Sequence, residues 1–318
     1  MCMRLYLPIL CVLMFLAISP KVATAVDPDP VGWWKFDDGA GAVALDSSGN
    51  GNHGVIFGDA QWIPGRLDGA LRLDGTGDYV ELPIGPVIST LEEATLSLWV
   101  NWSGEGGTWQ RILDLGSGTA NYLYLCPNNG ASSAMRVAIT ANNGIWNEFD
   151  SSGGLLPLGW HHVTITVSSS SRTMAMYLDG ENVGSMANIT NTVNALGETT
   201  QNWIGRSQYD ADPYFNGAVD DLRIYNVVLS DRQIQTVMSG LSTGVASGPV
   251  PTNEATDVPR DVVLGWTAGQ FADTHDVYFG TSLADVDAAS RSNPLGVLVS
   301  RGQAGTTYTP PVRLEFST

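Results

Sequence analysis

From residue 95 onward the chain repeatedly alternates apolar and polar positions. In Thr95 to Trp102, Leu96, Leu98, Val100 and Trp102 fall on one side and Thr95, Ser97, Trp99 and Asn101 on the other. Val163, Ile165 and Val167 repeat this with Thr164 and Thr166 between them, and Met174, Met176 and Leu178 resume it beyond the polar tetrad Ser168 to Ser171. A period of two predicts strands with one dry face, here two strands joined as an antiparallel hairpin. Asp179-Gly180 supplies the positive φ angles of a second tight reversal into Asn182-Val183-Gly184.

The same reading gives strands at 32–38, 69–75, 78–82, 111–115, 122–126, 135–140, 202–206 and 217–226, with Gly, Asn and Asp between them. The pair 69–75 and 78–82 reads as a hairpin around Thr76-Gly77. One helix is predicted after Ser230, with Gln233 completing a capping box, Ile234 and Val237 facing inward, and Gly240 ending it. Short strands at close intervals predict an all-β, two-sheet sandwich rather than strand–helix units.

Three tracts carry a family resemblance in the right order. They are Trp33-Trp34-Lys35-Phe36-Asp37-Asp38 followed by Asp46-Ser47-Ser48-Gly49-Asn50-Gly51-Asn52-His53-Gly54; the hairpin from Trp160-His161-His162-Val163 to Tyr177-Leu178-Asp179-Gly180; and Asp220-Asp221-Leu222-Arg223-Ile224-Tyr225-Asn226 before a short helix. Together they make residues 31–240 resemble the laminin-G-like domains of the concanavalin A-like lectin/glucanase class. The resemblance implies an antiparallel jelly roll whose first and last strands pair.

Beyond it, 241–251 is rich in Ser, Gly, Thr and Pro and reads as a linker. Residues 252–318, with strands expected at 262–266, 275–282 and 306–311, resemble a partial immunoglobulin-like or fibronectin type III module. Such modules use about seven strands in roughly 100 residues, so a second, incomplete β-sandwich and a chain that is a fragment are expected.

Composition narrows function. An apolar run over residues 5–20 after Arg4, with Ala23-Thr24-Ala25 as a cleavage site, predicts a signal peptide over 1–25 and a secreted or cell-surface protein. No other stretch is apolar enough to span a bilayer. Of three cysteines, Cys2 and Cys11 leave with that peptide, so Cys126 has no partner for an internal disulfide. A formal charge of −17 disfavours nucleic acid and anionic membrane as partners.

Much of the acid lies in Gly- and Asn-rich loops, where carboxylates and carbonyl oxygens can surround calcium. By the family resemblance, Asp46, Asn52 and Asp221 are expected as ligands of a structural calcium ion, with Asp38 and a carbonyl near His53 as further candidates. The alternative is that these side chains only cap turns.

Chemistry is sparse. His161 and His162 are neighbours on a strand and point to opposite faces, His161 towards the core, so they cannot share an ion. Asp220 and Asp221 diverge in the same way. The Glu-x-Asp-x-x-Glu motif that a jelly-roll glucanase would carry along one strand is absent, and so is Cys-x-x-Cys. No catalytic residue is therefore assigned.

Trp99, expected opposite its Leu neighbours, and Trp109, Trp146, Tyr209 and Tyr214, expected in loops, could stack on sugar rings. The expected function is a non-catalytic binding or adhesion module for an extracellular glycan or protein. An accessory domain of a larger carbohydrate-active enzyme and a purely structural surface protein are the alternatives.

Overall fold

The structure is a computed structural model that describes residues 28–240, residue 246, and most of 247–311. The expected signal peptide lies outside the described residues. The strands of the first unit are β1 (Gly32–Trp34), β2 (Val43–Ala44), β3 (Gly54–Phe57), β4 (Gln61–Pro64), β5 (Gly69–Asp74), β6 (Tyr79–Glu81), β7 (Glu93–Trp102) and β8 (Leu113–Gly116). Then come β9 (Asn121–Cys126), β10 (Arg136–Ala141), β11 (Asn147–Asp150), β12 (Gly159–Ser168), β13 (Thr173–Leu178), β14 (Glu181–Ala187), β15 (Gln201–Ile204) and β16 (Asn216–Tyr225). A single helical turn, α1 (Gly85–Ile88), follows β6, and α2 (Asp231–Met238) follows β16.

These strands form the expected two antiparallel sheets. One runs β14-β13-β12-β7-β16-β5-β4, with β1 also on β16; the other runs β11-β10-β9-β8-β15-β6-β3-β2. Leu96, Leu98 and Val100 of β7 and Val163, Ile165 and Val167 of β12 meet Leu113, Leu115, Leu123, Leu125, Val137 and Ile139 of the opposite sheet in one core. The alternation read from the sequence thus marks the dry faces correctly. Asp179 and Gly180 take φ of 51° and 81° at the reversal into β14.

The first and last strands pair, with Trp33 opposite Arg223 and Trp34 opposite Leu222. On β16 a bulge at Asp221, φ 51°, adds one residue against β7. It resets the alternation so that Val219, Leu222 and Ile224 all reach the core.

Residues 69–82 are not a hairpin. β5 joins the first sheet and β6 the second, so the chain crosses between layers at Gly75-Thr76-Gly77. Buried Asp78 shapes this corner by accepting the Asp74 and Asp59 N–H groups. A tight turn between alternating runs looks the same locally whether the second run pairs with the first or with the facing sheet.

The outer face of the first sheet is covered as well. Ser230 accepts the Gln233 N–H while the Gln233 side chain accepts the Ser230 N–H, starting α2 as expected. Its Ile234 and Val237 pack on Tyr225 and Leu229. Under this cover His162 is buried, bonded to Ser97 at 2.9 Å and 5.3 Å from the Trp99 ring.

The burial expected of His161 is therefore reversed. His161 lies on the core-side parity but beyond the core's edge, half-exposed and bonded to Asp179 at 2.7 Å. His162 faces away from the core yet is enclosed, and burial, helped by Arg223, lowers its pKa to about 3.

In the second unit, β17 (Ser247–Val250), β18 (Leu264–Thr267) and β21 (Thr307–Tyr308) form one small sheet, while β19 (His275–Tyr278) and β20 (Leu298–Gln303) form another. β17 lies inside the stretch expected as linker, so that stretch is in part a strand, whose Val250 sits opposite Gly265. Strand β20 was not expected. Two small sheets are what these described residues establish about the second unit.

Candidate functional site

The second sheet has an outer face that the two-faced reading of its strands did not anticipate. On β9, Leu123 and Leu125 enter the core while Tyr122, Tyr124 and Cys126 form a separate cluster on the other side, with Ala138. Three loops converge over it. Trp109 comes from the β7–β8 connection, Trp146 from β10–β11 and Tyr209 from β15–β16. With Arg111, Arg136, Glu148 and Asp212 these residues line a cavity of about 250 Å³.

The rings interlock edge to face. Tyr122 lies 5.6 Å from Trp146 at 75° and 6.1 Å from Tyr209 at 84°. The Tyr122 and Tyr209 hydroxyls are 3.4 Å apart, and Tyr209 also donates to the Thr119 carbonyl. Trp146 remains 43% exposed, the most open of the cavity's rings, and so the one best placed to meet a ligand. Trp109 takes φ 68°. Gly130 packs beneath its indole so closely that a Cβ would sit 2.5 Å from the indole nitrogen.

Two arginines tie the rings to the sheet. Arg111 lies 4.1 Å from the Tyr124 centroid, donates to the Trp109 carbonyl, and pairs with Asp114 at 3.3 Å and Asp212 at 3.0 Å. Arg136 reaches Asp150 at 2.6 Å and Glu148 at 3.1 Å. Both guanidiniums lie 5.8 Å from the Trp109 ring.

Burial raises the Asp114 pKa to about 7 against the pull of Arg111, and it pushes both tyrosine hydroxyls well above their usual range. Hydrogen bonds from Arg136 hold the Asp150 carboxyl below its usual value. The pocket acids Glu148 and Asp212 are each paired with an arginine.

Of the expected aromatics, the structure brings Trp109, Trp146 and Tyr209 together. Tyr214 stands further along the same face. Trp99 is not available, being buried under the Arg66 guanidinium with its indole nitrogen donating to the Met238 carbonyl. Tyr122, Tyr124, Arg111 and Arg136 were missed. The Tyr-x-Tyr-x-Cys alternation against Leu-x-Leu was the available signal, since a strand with no water-facing side needs something to cover its second face.

The expected calcium ligands sit around the paired terminal strands. Asp46 accepts the N–H groups of Trp33, Ser48 and Asn52. Burial alone would raise its pKa, but these donors and the Ser48 side chain hold it below the usual value. The Asn52 carbonyl accepts the Trp34 indole N–H. Asp221 accepts the Trp33 indole N–H at 2.6 Å and pairs with Arg223 at 2.9 Å. Asp38 accepts the Leu45 N–H.

Asp46 and Asp221 thus both bond Trp33, one at its backbone N–H and the other at its indole, and Asp38 caps the adjoining turn. Among the described residues, the one group of three metal-type side chains with ligand atoms within 4.8 Å of one another is instead Asp59, Asp74 and Asp78.

The sequence profile of the concanavalin A-like lectin/glucanases superfamily, in its laminin-G type, matches residues 74–235. The chain belongs to this superfamily. Among solved structures, the chain is similar to domain 4 of AbnA, an extracellular arabinanase from Geobacillus stearothermophilus, solved with arabinotriose. The two are 22% identical over 66% of this chain and 98% of that one, with a TM-score of 0.55.

It is similar too to the receptor-binding domain of botulinum neurotoxin C/D mosaic serotype, at 18% identity over 76% of this chain and 62% of that one, TM-score 0.52. A third likeness is the botulinum neurotoxin DC binding domain solved with rat synaptotagmin II, at 13% identity, 79% and 60% coverage and a TM-score of 0.52. These likenesses are of fold. No curated relative matches the chain.

Proposed function

We propose that the first unit is a non-catalytic glycan-binding module of a secreted protein, and that the cavity on the second sheet is its binding site. The observation that carries this is the meeting of Trp109, Trp146 and Tyr209, from three separate loops, over a tyrosine floor buttressed by Arg111 and Arg136. Aromatic faces take up the apolar faces of sugar rings, and arginine–carboxylate pairs offer fixed donors and acceptors to hydroxyls. A pocket that is mainly aromatic with a few convergent polar groups is the usual form of a small-ligand site. The arabinanase domain solved with arabinotriose is in keeping with a glycan ligand, and the neurotoxin domain solved with synaptotagmin II makes a protein partner the alternative that the test separates.

The test is a glycan array followed by titration calorimetry with Trp146→Ala. Because the indole is 43% exposed, the variant should keep its melting temperature within about 2 °C and lose about tenfold or more in affinity for the best glycan. A module that retains no glycan but captures a protein ligand would overturn the reading.

At the terminal strands, the residues suit a hydrogen-bonded closure better than a calcium ion. The oxygens of Asp46 face three N–H groups, and those of Asp221 face an indole N–H and a guanidinium whose charge already balances it. The expected result is a melting temperature that moves by no more than about 2 °C between excess calcium and excess EDTA. A larger rise with calcium that persists in Asp74→Asn and is lost in Asp46→Asn would restore the ion at Asp46, Asn52 and Asp221; the reverse pattern would place it at Asp59, Asp74 and Asp78.

A further inference from the structure

We infer that the site accepts a neutral glycan chain lying across the second sheet, reaching a second aromatic station near β3 and β6, rather than a single terminal sugar in the cavity. This rests on the glycan reading of that cavity and adds where the rest of the ligand goes. The register of the strands sets the direction. Tyr124 stands opposite Asp114, Asp114 opposite Trp203, and Trp203 opposite Glu81, so all four share the outer face in one row across four strands. With neighbouring strands about 4.8 Å apart, that row runs about 14 Å from the cavity floor.

Asp114, Tyr124 and Trp203 of this row are buried, so the ligand would meet the loop side chains that lie above it. Tyr209 and Asp212 belong to the cavity and also to an adjoining depression lined by Arg206 and Tyr214. Tyr214 then lies 6.2 Å from Tyr79, and Arg206 covers the Tyr79 and Trp203 rings at 5.0 and 4.3 Å. Tyr79 stacks on Phe57 at 4.6 Å and 4° between planes. Phe57 is 38% exposed at the far end of the track.

Two groups of rings on one face, joined by a groove of hydrogen-bonding side chains, suit a chain of sugars that stacks at both ends. Charge selects against an acidic chain. Arg111 and Arg136 are each paired with two carboxylates, and Arg206 has Asp210 at 3.8 Å.

The experiment uses the full chain and compares disaccharides with octasaccharides of the neutral arabino-, xylo-, gluco- and manno- series, and with oligogalacturonides as the acidic control. For the series that binds, the octasaccharide should bind at least about tenfold tighter than the disaccharide. Phe57→Ser and Tyr214→Ala should each remove that advantage, read as the ratio of the two affinities; Phe57 is exposed and Tyr214 partly buried, and the folding of both variants is checked by thermal melting.

If length makes no difference, or if both variants keep the length advantage while Trp146→Ala abolishes binding, the second station is wrong and the cavity reading stands. Tighter binding of the oligogalacturonides would overturn the neutral ligand. Binding of none of the probes would overturn cavity and track together.

Discussion

Replacing Arg223 with leucine should lower the stability of the first unit by about 3–5 kcal/mol, the usual cost of leaving one member of a buried ion pair without its partner. Arg223 is 1% exposed and Asp221 4%. The guanidinium pairs with that carboxylate, donates to the Gly240 carbonyl at the end of α2, and lies 4.4 Å from the centroid of the Trp33 ring. One side chain therefore connects the first strand, the last strand and the helix that covers them.

Urea denaturation reads the loss directly. A second variant separates charge from packing: Asp221→Asn combined with Arg223→Leu should recover much of the deficit, because no charge is left stranded while asparagine tolerates the φ of 51° and still accepts the Trp33 indole N–H. If the double variant is as unstable as the sum of the singles, the pair matters for shape alone.

Arg111→Met should be the most damaging change at the cavity, and its cost should depend on pH. Asp114 is fully buried, with Arg111 as its cationic partner and the Gln208 N–H as a further donor. Burial raises its pKa to about 7, well above the usual carboxylate range. A carboxyl whose pKa is raised on folding binds more protons folded than unfolded. It therefore subtracts stability as pH rises from about 4 to about 7.

Without Arg111, the attraction that restrains this shift is gone, so the folded pKa climbs further and the penalty extends to higher pH. Denaturation midpoints should then show a larger deficit at pH 8 than at pH 5. Glycan affinity should fall by about tenfold or more at both, because the Tyr124 and Trp109 rings lose their support. A deficit that is equal at the two pH values would mean that Asp114 is not the group left uncompensated.

The parts of the fold that were legible in advance are those decided by neighbours in the chain. The β12–β13 hairpin, the Asp179-Gly180 reversal and the capped helix each follow from a few adjacent residues with fixed conformational preferences. The crossing at Thr76-Gly77 was not legible, because the layer a strand joins is settled by distant partners, here β16 for β5 and β15 for β6.

Burial of His162 and Trp99 failed for a related reason. Alternation tells which residues share a side of a strand, but only the docking of α2 and of the 65–68 loop decides that the outer side is covered. At the cavity, the loop aromatics could be nominated singly. Their meeting over Tyr122 and Tyr124 depends on three connections turning the same way, which no local pattern records.

The position of β16 between β7 and β5 carries a consequence for synthesis. A ribosome delivers that central strand after every other strand of the first unit. Until it emerges, β7 with its hairpin partners and the β4–β5 ribbon both wait with unsatisfied inner edges. Assembly of this layer should therefore be slow and late, and a nascent chain halted shortly before residue 216 would be a sticky intermediate that needs a chaperone.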